Sequence, residues 1–450
     1  MKLRALFEET GWTGQAFAQA VNAEALRSAL ELHFDRTTVA HWLAGSRPRG
    51  QVGEFICRVL SQRLQRDVQL EHIGLAGPST AEVGSPAAGA RERLRELARE
   101  GLVAQRVLRR LPYSPTTGFP EAESGRAPAG GTGRLSLTHV RSAESMVALF
   151  AHADETFGGA RWRPALASYL SVDIAERLGG SASSSVGRRF RQAGGDLAYL
   201  AGFMAFDENL HGVAQAYFQL AVQLSSETGD RGRYAIAVRQ MSVQAHQLGN
   251  VRLALQFAEE SSRGVPCLPD ETGAFVLGQE ALALAGAGER RRALEVLGRA
   301  QRLLDRADGR EALLGGYHLA AFSHQQAEVL AAAGDLPAAC GALAASLRLR
   351  PPQERRARML TTARLACLQL SQGQVELACS TWEGFLDDYP LVASARGDVA
   401  FRELRRRLRS YQREPAARRL LARAGRVAGV GGGRPTAGPR VPPARSAPPG

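Results

Sequence analysis

The segment Leu197-Ala-Tyr-Leu-Ala-Gly-Phe-Met-Ala-Phe-Asp-Glu-Asn-Leu-His-Gly-Val-Ala-Gln-Ala-Tyr-Phe-Gln-Leu-Ala221 carries the rule on which most of the chain is built. Gly202 is followed twelve residues on by Ala214, four further by Phe218 and three further by Ala221. The same spacing recurs at Ser242/Ala254/Ala258/Ser261, Ala281/Ala293/Leu297/Ala300, Ala327/Ala339/Leu343/Ser346 and Ala366/Ala378/Trp382/Phe385. Five residues before each second member stands Asn209, Gly249, Gly288, Gly334 or Gly373. Glycine, and asparagine after it, enters the left-handed backbone that closes a helix, so each of these marks the end of one helix and the turn into the next. Small residues on both helices let the two backbones cross closely. One such pair cannot bury its apolar face, whereas stacked pairs can, and the frame therefore predicts a single solenoid over 195–425.

The first unit resembles the tetratricopeptide repeat, with Gly202, Ala214, Phe218 and Ala221 at that family's small, small, aromatic and small positions. Later units keep the spacing but carry Ala258, Leu297, Leu343 and Trp382 at the aromatic position, and the steps of 40, 39, 46 and 39 residues exceed the family's period of about 34. The resemblance implies a right-handed α-solenoid of helix pairs whose concave groove takes a peptide or protein ligand. Leu404, Ala416, Leu420 and Arg423 nearly repeat the frame with a charge in the last place, as a polar capping repeat requires.

The N-terminal residues 1–75 read as a separate helical bundle. Thr13 can cap a helix over Gly14–Asn22, with Phe17, Ala20 and Val21 on one face. A second helix runs from about Thr37 to Ala44 and stops at Gly45, with Val39, Trp42 and Leu43 inward and Thr37 and His41 outward, one turn apart. A third spans Phe55–Leu64. The first two resemble the helix-turn-helix of phage-repressor-type regulators. By position, the resemblance makes Gln15 the supporting residue, Thr37, Thr38 and His41 the candidate base readers, and Arg36, Arg47 and Arg49 the phosphate anchors. Asn22–Asp35 interposes fourteen residues where such a motif has a turn of three or four, and within them Ala23–Leu32 could itself be helical. Nine Lys/Arg against eight Asp/Glu leave Met1–Glu71 near neutral, which implies weak intrinsic DNA affinity.

The order of parts is similar to that of actinobacterial helix-turn-helix regulators with tetratricopeptide-like repeats behind the DNA-binding head. The resemblance implies a regulator of development or secondary metabolism, with DNA, a peptide or protein ligand and a second copy of the chain as partners. An adaptor whose head docks protein rather than DNA is the alternative. Between head and array, 76–134 reads as two linkers flanking a basic helix at 91–111, with a charged face that either docks on the solenoid or meets nucleic acid. Residues 135–194 form a helical lead-in, and 426–450 an Arg/Gly/Pro tail without periodicity, expected to be disordered.

Charge and chemistry bound the rest. The chain carries +13, and from Arg396 onward fourteen arginines face three carboxylates, leaving +11 in that stretch. Its five cysteines form no C-x-x-C pair and read as small buried hydrophobes in a reducing compartment. His318 and His324, six apart, do not share a metal-binding helix face. Residues 1–9 lack a signal peptide's apolar run and no stretch reaches membrane-spanning length, so a cytoplasmic location is expected. No Walker loop, G-x-S-x-G or H-E-x-x-H is present, and neither an enzymatic activity, a cofactor nor a metal is expected.

Overall fold

The computed structural model describes residues 2–27, 33–44, 46, 48, 52–64, 68, 72–73, 89–103, 111–115, 135–179, 184–307 and 317–430. Every regular element among them is helical, and the chain divides into two compact units, Met1–Glu82 and Val83–Gly450. No described helix is long and apolar enough to cross a membrane.

Unit 1 holds α1 (Lys2–Thr10), α2 (Gly14–Arg27), α3 (Arg36–Leu43) and α4 (Val52–Leu64). Leu3 and Leu6 of α1, Phe17, Ala18, Val21 and Ala25 of α2, Val39 and Trp42 of α3 and Phe55, Ile56, Val59 and Leu60 of α4 form one core. Helix α1 is an addition to the expected bundle; Leu3, Leu6 and Phe7 recur at helical spacing and pack inward. Helix α2 passes through Asn22 to Arg27, because Ala23, Glu24, Ala25 and Leu26 are good helix formers and no glycine or proline stops it. The separation from α3 is thereby at most eight residues, not fourteen.

Unit 2 opens with α5 (Ala90–Val103), α6 (Leu137–Phe157) and α7 (Arg163–Tyr169), the last continuing into a π-helical turn at Leu170–Ala175. Five helix pairs follow: α8 (Ser184–Asp207) with α9 (His211–Thr228), α10 (Arg231–Gln247) with α11 (Val251–Ser262), α12 (Asp270–Gly286) with α13 (Arg290–Arg306), α14 (Leu319–Ala332) with α15 (Leu336–Leu349), and α16 (Arg355–Ser371) with α17 (Val375–Asp388). Helices α18 (Ala395–Leu408) and α19 (Pro415–Val430) complete the array. Each helix packs mainly on its sequence neighbours, which makes the unit an α-solenoid.

The repeat frame has direct physical content here. Asn209, Gly249, Gly288, Gly334 and Gly373 all have positive φ, between 59° and 86°, at the turn inside each pair. The small residues lie buried where the helices cross. At Ser242 the hydroxyl donates to Ala254 O at 2.7 Å, so the small residue also ties its pair together, and it accepts from Gln279 Nε2 of the next pair at 3.0 Å.

One segment takes one of its two expected places, and two depart from the sequence reading. The basic helix docks on the solenoid through buried Leu94 and Leu97, with Arg95 paired to Glu176 at 2.8 Å and Arg93 donating to Gln219 and Gln223 of α9. Residues 112–115, expected to begin a disordered linker, lie against α9, where Gln215 bonds the Ser114 backbone in both directions at 2.9 and 2.6 Å. Helix α19 runs on to Val430, past the expected start of the tail, because Val427 and Ala428 continue the helix-forming run. The remainder of the tail, 431–450, lies outside the described residues.

The solenoid also closes on itself. Helix α6, ahead of the first pair, packs against both α8 and α16. Arg356 of α16 donates to Asp154 Oδ2 at 2.8 Å, Ala393 N to Phe157 O at 2.8 Å, and Ser394 Oγ to Asp207 Oδ1 at 2.9 Å. Gly158, at φ 82°, lets the two strands of backbone touch, since a Cβ there would stand 2.3 Å from Ala393 O.

Candidate nucleic-acid interface

In the head, α3 is held from three sides. Asp35 caps it by accepting from Thr38 N and Thr38 Oγ1, both at 2.8 Å, and these bonds hold the exposed Asp35 carboxyl below the usual carboxylate range. Asn22 of α2 clamps the residue ahead of the cap, donating to Phe34 O at 2.9 Å and accepting from Phe34 N at 3.0 Å. Phe34 then meets the Trp42 ring edge-to-face at 4.9 Å. At the other end Arg4 of α1 donates to Leu43 O at 3.3 Å, a cation at a helix C-terminus.

With Val39 and Trp42 turned into the core, Arg36, Thr37, Ala40, His41 and Ala44 form an exposed strip along α3. The extended α2 leaves Thr37 and His41 at the surface. Thr13 caps α2 by accepting from Ala16 N at 3.2 Å, and Gly14 lies against Arg36, so exposed Gln15 begins its helix beside the start of α3. Four of the seven candidate residues, Gln15, Arg36, Thr37 and Thr38, are thus gathered around the N-terminal ends of α2 and α3, and His41 follows one turn after Thr37 on the exposed side of α3. Thr38 is the exception in role: half-buried and bonded to Asp35, it serves the cap, and its hydroxyl is committed. Arg47 and Arg49 lie outside the described residues.

Sequence reasoning passed over the residues that aim this helix. Asn22 read as the end of α2, and Arg4 and Phe34 were not singled out; the signal for Asn22 was its position twelve residues ahead of Phe34 on a continuing helix face.

In unit 2 the first helix of each pair contributes polar and aromatic side chains that the sequence reading did not select. Arg356 lies 4.6 Å from the centroid of Phe203, Arg396 5.3 Å from Phe206 and Arg239 3.7 Å from Phe275. Glu328 pairs with Arg364 at 2.8 Å, and His318 meets Glu354 at 2.5 Å. Burial pushes His324 down to about 4, and its Nδ1 lies 3.0 Å from Thr361 Oγ1. No group of three or more His, Cys, Asp or Glu among the described residues could hold a metal ion.

Comparison with known proteins gives a match that is confined to the head. No curated protein matches the chain significantly. Residues 3–76, which span α1 to α4, match the family model of the SP15 N-terminal domain.

Proposed function

We propose that this protein is a DNA-binding transcriptional regulator in which the head contacts DNA and the solenoid senses a ligand or a second copy of the chain. The observation that carries the reading is the exposed Arg36–Thr37–His41 strip on a helix capped by Asp35, backed by Val39 and Trp42 and flanked by Gln15. A helix of two turns held this way has the form that enters a major groove and presents polar side chains to base edges. Pairing of two heads supplies the area that one small head lacks.

The near-neutral balance of Met1–Glu71 favours a second reading, an adaptor whose head docks protein. Selection of genomic fragments by the full-length protein at two salt concentrations, beside a Thr37→Ala/His41→Ala variant, separates the two. The regulator reading expects a discrete symmetric site that the variant loses by about tenfold or more, since each base contact contributes about 1–3 kcal/mol. Equal, salt-sensitive and sequence-independent recovery of both proteins would reject it.

A further inference from the structure

Arg239 of α10 lacks the carboxylate partner that holds Arg356 and Arg364 on the solenoid's first helices. Arg356 answers to Asp154 and Arg364 to Glu328, each at 2.8 Å. Arg239 has no carboxylate within salt-bridge distance among the described residues, and its titratable neighbours are the phenols of Tyr199 and Tyr317, uncharged at neutral pH. Its guanidinium stacks 3.7 Å from the Phe275 centroid, while Nε donates to Phe275 O at 3.4 Å and Nη1 to Gln240 Oε1 at 3.2 Å. These bonds leave Nη2 uncommitted. The amide nitrogen of Gln240, beside it, is buried and has no hydrogen-bond partner.

The surroundings are aromatic and enclosed but not sealed. Tyr199, Arg239 and Phe275 keep partial solvent access, yet desolvation raises the Tyr199 and Tyr317 phenols and lowers Arg239. Phe275 lies ring against ring with Tyr317, centroids 4.9 Å apart, so the partly exposed Arg239 guanidinium faces an aromatic wall. Tyr317 Oη donates to Gln325 at 2.6 Å, in space that exists because position 278 is glycine; a Cβ there would stand 2.7 Å from that hydroxyl. The hydroxyl of Tyr199, whose ring packs on Phe203 and Phe218, makes no hydrogen bond to any described residue.

Three constraints then define an occupant. A guanidinium with N–H groups to spare at its Nη end favours a planar oxyanion that accepts from them. One unpaired cation balances one negative charge, and a dianion would leave an uncompensated charge in a desolvated site. Walls of Tyr199, Phe275 and Tyr317 favour a flat apolar body. The closure of α6 on α16 further favours a small molecule over a long chain laid through an open groove. We propose that the site around Arg239 binds a small aromatic carboxylic acid, its carboxylate on the guanidinium and its ring among Tyr199, Phe275 and Tyr317. The site is argued from unit 2 alone and stands whether or not the head binds DNA.

The test is calorimetric titration of the full-length protein with benzoate, 4-hydroxybenzoate, 2-naphthoate and indole-3-acetate, beside 2-naphthamide as the uncharged match. Saturable binding of at least one acid, none of the amide, and affinity about ten- to a hundredfold weaker in Arg239→Gln are expected from the loss of charge-assisted hydrogen bonds. Arg239→Lys, which keeps the charge but not the fork, should weaken binding as well and serves if the glutamine variant does not fold. The absence of saturable binding across the four acids, equal binding of the amide, or unchanged affinity in the folded Arg239 variants would overturn the proposal. DNA selection in the same preparations reports on the head independently.

Discussion

A methyl group on Gly202 would stand 2.6 Å from Cε1 of Phe218 and 3.2 Å from Ala214 O, and the Phe218 ring is fully buried. Gly202→Ala must therefore separate α8 from α9 or force Phe218 off its rotamer, at a cost of about 1–3 kcal/mol. Gly249 poses the opposite problem. Nothing lies within 4 Å of its would-be Cβ, but its φ is 75°, so alanine there costs about 1–2 kcal/mol through backbone strain alone. Asparagine distinguishes the two, because Asn209 already occupies the equivalent turn at φ 59°. Gly249→Asn is expected to recover most of the stability lost by Gly249→Ala in urea unfolding, whereas Gly202→Asn should be worse than Gly202→Ala. The array was legible in the sequence for this reason: the turn residue, glycine or asparagine, and the small crossing residue each obey a local rule, and five copies in register repeat it. The polar side chains of the first helices were not, since Arg239 or Arg356 in sequence looks like any solvated arginine until other helices surround it.

Helix α3 depends on a bond made by its neighbour. Asn22→Ala would leave Phe34 N and Phe34 O without the side chain that satisfies both, and such a loss costs about 1–3 kcal/mol. It should lower the head's thermal midpoint and, on the proposed regulator reading, weaken DNA binding without touching DNA. Thr37→Ala removes an exposed side chain and should move stability by less than about 0.5 kcal/mol. If Asn22→Ala left both the midpoint and the affinity unchanged, the clamp would have no part in aiming α3. At this scale the sequence was half informative. Val39, Trp42 and the Thr13 cap follow from helical periodicity and capping chemistry. The extension of α2 through Asn22 does not, because asparagine at a helix end and asparagine reaching across to another segment have the same identity in sequence, and only the partner at Phe34 decides between them.

Closure of the solenoid joins residues about two hundred positions apart, and no local pattern in the sequence announces it: Arg356 meets Asp154 and Ser394 meets Asp207. The seam carries a pH dependence with a definite sign. Desolvation, with the neighbouring Glu354 and Asp154 charges, raises Glu155 from 4.5 to about 7 against the opposing fields of Arg356 and His318. Buried Asp154 moves in the same direction, from 3.8 to about 6, again through desolvation and against Arg356. A folded state that holds these protons more tightly than the unfolded chain loses stability as pH rises through the window between the ordinary and raised values. Thermal midpoints should therefore fall between about pH 5 and 7.5, less steeply in Glu155→Gln, and a slope identical in both proteins would remove Glu155 from the account. The ion pair itself is tested by a double-mutant cycle. Arg356→Met strands the Asp154 carboxylate in the interior and should cost about 3–5 kcal/mol, whereas Arg356→Met with Asp154→Leu removes both charges and should cost much less. Small-angle scattering adds the geometric readout: the single variant should increase the radius of gyration as α6 leaves α16, with helical content by circular dichroism nearly unchanged. If the double variant is as unstable and as expanded as the single one, packing of Arg356 on Phe203 rather than its pairing with Asp154 closes the seam.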